Sequence, residues 1–339
     1  MRAHTRSPLT EDTFVPHSAL KNAHAQTIAA ALIPRRIRLL TGITQPRLFE
    51  PEPGIKVLGY CSWQQDRLTR PTVLIVHGME GSADSPYMLS TAEKAVSQGF
   101  NTVRINIRNC GGTEAMSPTL YHAGMTEDVN HIIRELATTD GLSDIYVVGF
   151  SLGGNIVLKL AGEYGSTPPK ALRGIVAISP SVDLTACINA IEARSNLFYH
   201  LRFVRSLRTR LRRKASLFPD RYDVSLLTGI WSIRKFDDAY TAPHCGFLDS
   251  ADYYKRASAL PFISRITVPT LIIHAKDDPF IPYAPLERSE VAQNNNILLL
   301  APDFGGHVGF VSARPAGLDR FWAEAKAVEF VSLLAKSAQ

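Results

Sequence analysis

The chain has 339 residues, 45% hydrophobic and 20% charged, which is the composition of an ordinary globular protein and excludes a disordered or fibrous one. Its formal charge of +6 is local: Arg202, Arg205, Arg208, Arg210, Arg212, Arg213 and Lys214 fall within one acid-free stretch, and without these seven, 30 bases face 31 acids. With no low-complexity tract or internal repeat, the length suits one large α/β domain carrying an insertion.

The first dozen residues are polar and lack the apolar core of a signal peptide. The longest early apolar stretch, 27–34, is far short of the roughly 20 residues a membrane-spanning helix needs, so a soluble, cytoplasmic protein is expected. Cys61, Cys110, Cys187 and Cys245 are scattered and suggest neither a disulfide framework nor a zinc site. An N-terminal helical extension is expected over about 1–44, with a helix at 18–33 capped by Ser18 and stopped by Pro34. Residues 47–63 read as an antiparallel hairpin at a sheet edge.

A buried strand at 72–78 ends in His77-Gly78, and Met79-Glu80-Gly81-Ser82 follows. Small residues there let the chain turn back over the sheet and aim backbone N–H groups outward; the Met79 N–H is a candidate oxyanion donor, and His77 is expected to order the loop rather than act as a base. A helix at 87–98 leads to a strand at 101–107 and a turn at 108–112, where Cys110 has no context that would make it a nucleophile. The next helix, 126–137, has Thr126 as its expected cap and Glu127 and Asp128 in its first turn.

The β-branched run from Ile145 ends in Gly149-Phe150-Ser151-Leu152-Gly153, and a helix-forming stretch follows over 156–163. This is the strand, elbow and helix context of Gly-x-Ser-x-Gly, in which the serine hydroxyl stands clear of the backbone as a nucleophile. The Leu152 N–H is the second candidate oxyanion donor. After a strand at 174–178 the β–α rhythm fails for some 80 residues, so 183–262 is expected to be a helical cap insertion on a core of about 45–182 and 263–339. Within it, Leu197, Leu201, Val204, Leu207 and Leu211 recur at spacings of three and four, which predicts an amphipathic helix over 196–214 with a cationic remainder. That face either meets water or makes weak peripheral contact with an anionic membrane; no aromatic interleaving or binding fold points to nucleic acid.

A strand at 270–275 runs into Asp277-Asp278, and Asp278 is the candidate triad acid, with Asp277 a structural neighbour. The last strand, 296–300, precedes Gly305-Gly306-His307, whose glycines free His307 to reach Ser151; a terminal helix follows at about 319–334. Ser151, Asp278 and His307 come in the order Ser, Asp, His, each just after a strand, as in α/β hydrolases. Motifs for metal, nucleotide and dinucleotide binding are missing, and no cofactor is expected.

With these residues placed, the sequence resembles the YheT-like branch of the α/β-hydrolase superfamily, esterases related to the animal abhydrolase-domain lipid enzymes. The resemblance runs through His24-Ala-Gln-Thr27, His77-Gly-Met-Glu-Gly-Ser82, Tyr121-His-Ala-Gly124 with Thr126-Glu-Asp128, Gly149 to Asn155, Asp252-Tyr-Tyr254 with Ser258, Ala275 to Phe280, and Gly305 to Phe310. It departs from the usual pattern at Asn109 and Gly112, in the turn after the second core strand. It implies a mostly parallel sheet flanked by helices, and hydrolysis of carboxylic esters, with short acyl esters or monoacylglycerol-type lipids as substrates. An amidase, peptidase or acyltransferase would use the same triad, and a binding protein on a hydrolase scaffold would use the basic stretch instead.

Overall fold

The computed structural model describes residue 9 and residues 13–313 and 320–338. Most of residues 1–12, in the expected N-terminal extension, and residue 319, the expected start of the terminal helix, lie outside the described residues.

Among these the strands are β1 (Thr44–Glu52), β2 (Ile55–Ser62), β3 (Thr72–Val76), β4 (Asn101–Ile105), β5 (Ile145–Phe150), β6 (Leu172–Ile178), β7 (Thr270–Ile273) and β8 (Ile297–Leu300). They lie side by side as β1-β2-β4-β3-β5-β6-β7-β8. The pairs from β4 through β8 are parallel, and the β1–β2 hairpin joins antiparallel at one edge. The main helices are α1 (Ala23–Leu32), α2 (Pro86–Ser97), α3 (Glu127–Thr138), α4 (Leu152–Tyr164), α5 (Leu184–Ile191), α6 (Leu197–Leu217), α7 (Ser250–Ala257) and α8 (Trp322–Ala338).

The central strands read as continuous apolar runs because both faces of the sheet are covered. Alternation then assigns each residue a side. Leu74, Val76, Val147, Ile175 and Ala177 meet Ile132 and Leu136 of α3 and Ile156 and Leu160 of α4. Their neighbours Val73, Ile75, Val148, Val176 and Ile178 face Met88 and Ala92 of α2 and Ala327 and Phe330 of α8. Each valine, leucine, isoleucine, methionine or phenylalanine among them contributes about 1.5–3 kcal/mol on burial.

Two expected caps are different in the structure. The first helix begins after Asn22, whose side-chain oxygen accepts the His24 and Ala25 N–H groups at 3.0 and 3.1 Å, while Ser18 starts only a separate 3-10 turn. Thr126 precedes α3 without capping it, because its hydroxyl donates instead to Glu163 Oε2 at 2.6 Å.

Between β6 and β7 the described chain is helical, and α5, α6 and α7 bring Leu184, Leu207 and Tyr253 over the carboxyl ends of the strands beside Ser151. The basic helix differs from the expected amphipathic stripe in two respects. Leu197 and Leu201 are exposed, whereas Val204, Leu207 and Leu211 are buried. Arg210 and Lys214 also leave the cationic face and turn inward: Lys214 is fully buried, its Nζ donating to the Glu114 carbonyl at 3.0 Å and to the Ser117 carbonyl. The reason is position, since 207, 210, 211 and 214 lie on one side of a 3.6-residue helix.

Candidate active site

Ser151 sits between β5 and α4 at φ 53° and ψ −116°, a strained backbone for a non-glycine residue and one associated with functional sites. The flanking glycines permit it. A Cβ at Gly149 would lie 2.3 Å from the Gly153 carbonyl oxygen, and one at Gly153 would lie 2.5 Å from the carbonyl oxygens of Val76 and His77. Ser151 N–H donates to Ile178 O at 2.9 Å, which fastens the elbow to β6.

The structure brings Ser151, Asp278 and His307 together. His307 Nδ1 lies 2.8 Å from Asp278 Oδ2, and His307 Nε2 lies 3.0 Å from Ser151 Oγ. An ionised carboxylate only accepts, so the proton belongs on Nδ1 and the Nε2 lone pair faces the serine hydroxyl. Asp278 is fully buried, and its other oxygen accepts the Phe280 and Ile281 N–H groups, both at 3.0 Å. Burial pushes its carboxyl up, but the charge and hydrogen bond of His307 outweigh this and hold it below the usual carboxylate range. Asp277 does different work: its Oδ1 accepts the Gly306 N–H at 2.8 Å and steadies the loop that carries His307.

The Met79 and Leu152 N–H groups have no acceptor among the described residues, and both residues line the pocket that contains Ser151. His77 organises the loop before them. Its Nδ1 donates to Gly78 O at 2.7 Å and its Nε2 accepts the Ile107 N–H at 3.0 Å, which fixes a neutral imidazole; burial lowers its pKa to about 4. Cys110 is buried and its thiol is pushed up to about 12 by desolvation, so it supplies no thiolate. No three His, Cys, Asp or Glu residues among those described cluster as metal ligands.

Ser151 stands where two cavities meet. One runs beneath the insertion between Leu184, Ile188, Leu207 and Ile233, and reaches the polar side chains of Asp237 and Thr241. The other is a groove toward α1, bordered by Thr27, Arg35, Arg202 and Phe203, with His307 on its wall. This division suits a substrate with two unlike halves.

Sequence reading missed the residues that hold His307 from behind. The Thr27 hydroxyl accepts the His307 N–H at 2.9 Å, and the fully buried Gln26 pairs with Val311 in both directions, at 2.8 and 3.1 Å. The resemblance included Gln26 and Thr27 in a block, but nothing within α1 itself signals a partner 280 residues away. Gln26→Leu is therefore expected to leave the Val311 N–H buried and unpaired, while the Val311 carbonyl keeps the His17 N–H at 3.1 Å, costing about 1–2 kcal/mol, readable as a shift of the urea midpoint. An unshifted midpoint would make the pairing dispensable. Asn155 was likewise unassigned. It is fully buried and binds Ala123 O, Ala257 O and the Ala259 N–H, so it ties α4 to the loop before α3 and to the end of α7.

Comparisons with known proteins bear on the family and the fold. A family model described as the α/β-hydrolase fold matches residues 71–313. The chain is 33% identical to YheT of Escherichia coli (strain K12) over 300 residues, 88% of this chain and 87% of YheT. It is 29% identical to the monoacylglycerol lipase of Saccharomyces cerevisiae over 264 residues, 75% of this chain but only 58% of that enzyme. Among solved structures, the Pyrococcus furiosus esterase Pf2001 shares the fold with a TM-score of 0.56 at 17% identity, over 89% of this chain and 97% of that one.

Proposed function

The chain belongs to the α/β-hydrolase family, and from that premise we propose that it cleaves carboxylic esters through an acyl-enzyme on Ser151. The observation that carries this reading is the continuous hydrogen-bonded relay from Ser151 through His307 to Asp278, with the hydroxyl open to two cavities. Ser151 Oγ attacks the ester carbonyl as His307 Nε2 takes its proton. Asp278 holds His307 in the accepting tautomer and stabilises the imidazolium. The Met79 and Leu152 N–H groups receive the oxyanion. His307 returns the proton to the leaving alcohol, and a water molecule repeats the cycle to release the acid.

The apolar walls of the cavity under the insertion favour the acyl chain, and the open groove favours the alcohol. Short acyl esters and monoacylglycerol-type lipids fit this division, and the yeast relative named as a monoacylglycerol lipase supports the second class. The test is labelling by a fluorophosphonate probe, which requires an activated serine, followed by turnover of p-nitrophenyl esters and monoacylglycerols of graded chain length. A wild-type protein that neither labels nor hydrolyses any of them refutes the reading.

Peripheral contact with an anionic membrane belongs to the same proposal. No helix among the described residues is long and apolar enough to cross a membrane. The amino-terminal half of α6 nevertheless exposes Leu197, Phe198 and Leu201, and Ile28 and Leu32 of α1 are exposed too, so apolar side chains lie on both helices that border the groove. Arg202, Arg205 and Arg212 are exposed and have no acidic partner among the described residues, whereas Arg208 sits over the Trp231 ring at 4.5 Å. The protein is expected to co-sediment with phosphatidylserine-containing vesicles at low salt and to be released at high salt, since screening weakens exposed charges. Changing Arg202, Arg205 and Arg212 together to Ser should abolish the co-sedimentation. Equal sedimentation of variant and wild type would leave these arginines as a solvated face.

A further inference from the structure

The loop that carries the Met79 N–H does not hold its own shape. It is a turn closed by the Gly81 N–H on Gly78 O at 3.0 Å, and Glu80, its third residue, has φ 58°. A turn with positive φ at that position ordinarily uses glycine or asparagine, so glutamate is strained there and persists only where its surroundings over-determine it. They do so through the side chain. Glu80 Oε1 pairs with Arg210 Nη1 and accepts the Tyr121 hydroxyl at 3.1 Å, and Glu80 Oε2 accepts the Ser206 hydroxyl. Arg210 and Ser206 both project from α6, one turn apart.

We infer that α6 is a working part of the oxyanion hole: Arg210 and Ser206 grip Glu80 and thereby hold the adjacent Met79 N–H where charge develops on the substrate oxygen. They are positioning residues, acting through Glu80. The Arg210–Glu80 pair is nearly buried, with each side chain 12% exposed, and the guanidinium also lies over the Tyr121 ring at 4.5 Å. Arg210 therefore has a fixed orientation and not merely a charge. Burial alone would favour its neutral form, but Tyr121 and Glu80 hold it firmly protonated. The consequence is that the insertion closes the pocket and shapes the site of chemistry with the same helix. Lysine would not replace arginine fully, because a point charge on a flexible stem lacks the planar fork that sets the angle.

This inference rests on the reading of Met79 as an oxyanion donor, and the experiment separates the two. The full chain is compared as wild type, Arg210→Met, Arg210→Lys and the Glu80→Gln/Arg210→Met double variant, using p-nitrophenyl acetate, whose two-carbon acyl group leaves most of the pocket unfilled. Removing one oxyanion donor outright costs about 10²–10³ in kcat, so a misplaced one should cost on the order of 10- to 100-fold. Arg210→Met is expected to lose kcat to that extent with KM changed by less than about threefold. Affinity for a trifluoromethyl ketone, which forms a tetrahedral adduct on the serine, should fall by the same factor. Arg210→Lys should restore part of the loss. The double variant leaves no unpaired buried charge and should recover the melting temperature of the wild type but not its kcat. That split distinguishes positioning from stability, and it decides the matter even if Arg210→Met fails to fold. A folded Arg210→Met with kcat within about twofold of wild type, or a double variant that recovers both properties, overturns the clamp alone and leaves the serine hydrolase reading standing. A wild type inert to the fluorophosphonate and to esters overturns both.

Discussion

Asp278→Asn is expected to lower kcat for ester hydrolysis on the order of 10⁴-fold, while Asp277→Asn, one residue earlier, costs less than about tenfold. The difference follows from what each carboxylate does. Asp278 Oδ1 accepts two backbone N–H groups, from Phe280 and Ile281, and Oδ2 faces His307 Nδ1. Asparagine has a single oxygen, and the two backbone donors claim it. Its NH₂ group must then point at His307 Nδ1 and donate, which forces the imidazole proton onto Nε2. A protonated Nε2 cannot take the Ser151 proton, so geometry is preserved and the base is lost. Asp277 accepts backbone N–H groups, the Gly306 N–H of the loop among them, and an asparagine carbonyl can take that bond as well. Steady-state kinetics of the two purified variants give the ranking, and the opposite order would move the acid by one residue.

Ser151→Ala should leave a folded protein with hydrolysis reduced by roughly a thousandfold or more, because a relay acting as a unit loses most of its rate with any member. The hydroxyl's hydrogen bond is to His307, at the edge of two cavities, so its removal should move the melting temperature little. Labelling by the fluorophosphonate should vanish in the same variant. Turnover like that of the wild type in rigorously purified Ser151→Ala would assign the chemistry to another residue.

The core strands and the elbow were legible in the sequence because their information is local. Alternating faces need only a few adjacent residues, and the glycines that admit the strained Ser151 lie two positions to either side of it. The order of Ser151, Asp278 and His307 was legible for a related reason: each follows a strand, and parallel strands end at the same edge of the sheet. Helix caps were less secure. Asn22 and Ser18 are both capping residue types, and only the backbone decides which one faces free N–H groups; the Thr126 hydroxyl was drawn off by Glu163, 37 residues later.

Tertiary structure alone decided the support of the site. Gln26 reaches Val311 across 285 residues, Thr27 reaches His307 across 280, and Arg210 reaches Glu80 across 130. No periodicity encodes such partners. Arg210 has the same residue type and nearly the same local surroundings as Arg205 and Arg212, and the sequence grouped all three as a cationic face. What separates them is the rotation at which α6 docks, fixed by the burial of Val204, Leu207 and Leu211 together. Once that stripe is packed, residue 210 is carried to the inner side of the helix, and its charge must find Glu80 because a buried guanidinium without a partner is too costly to keep.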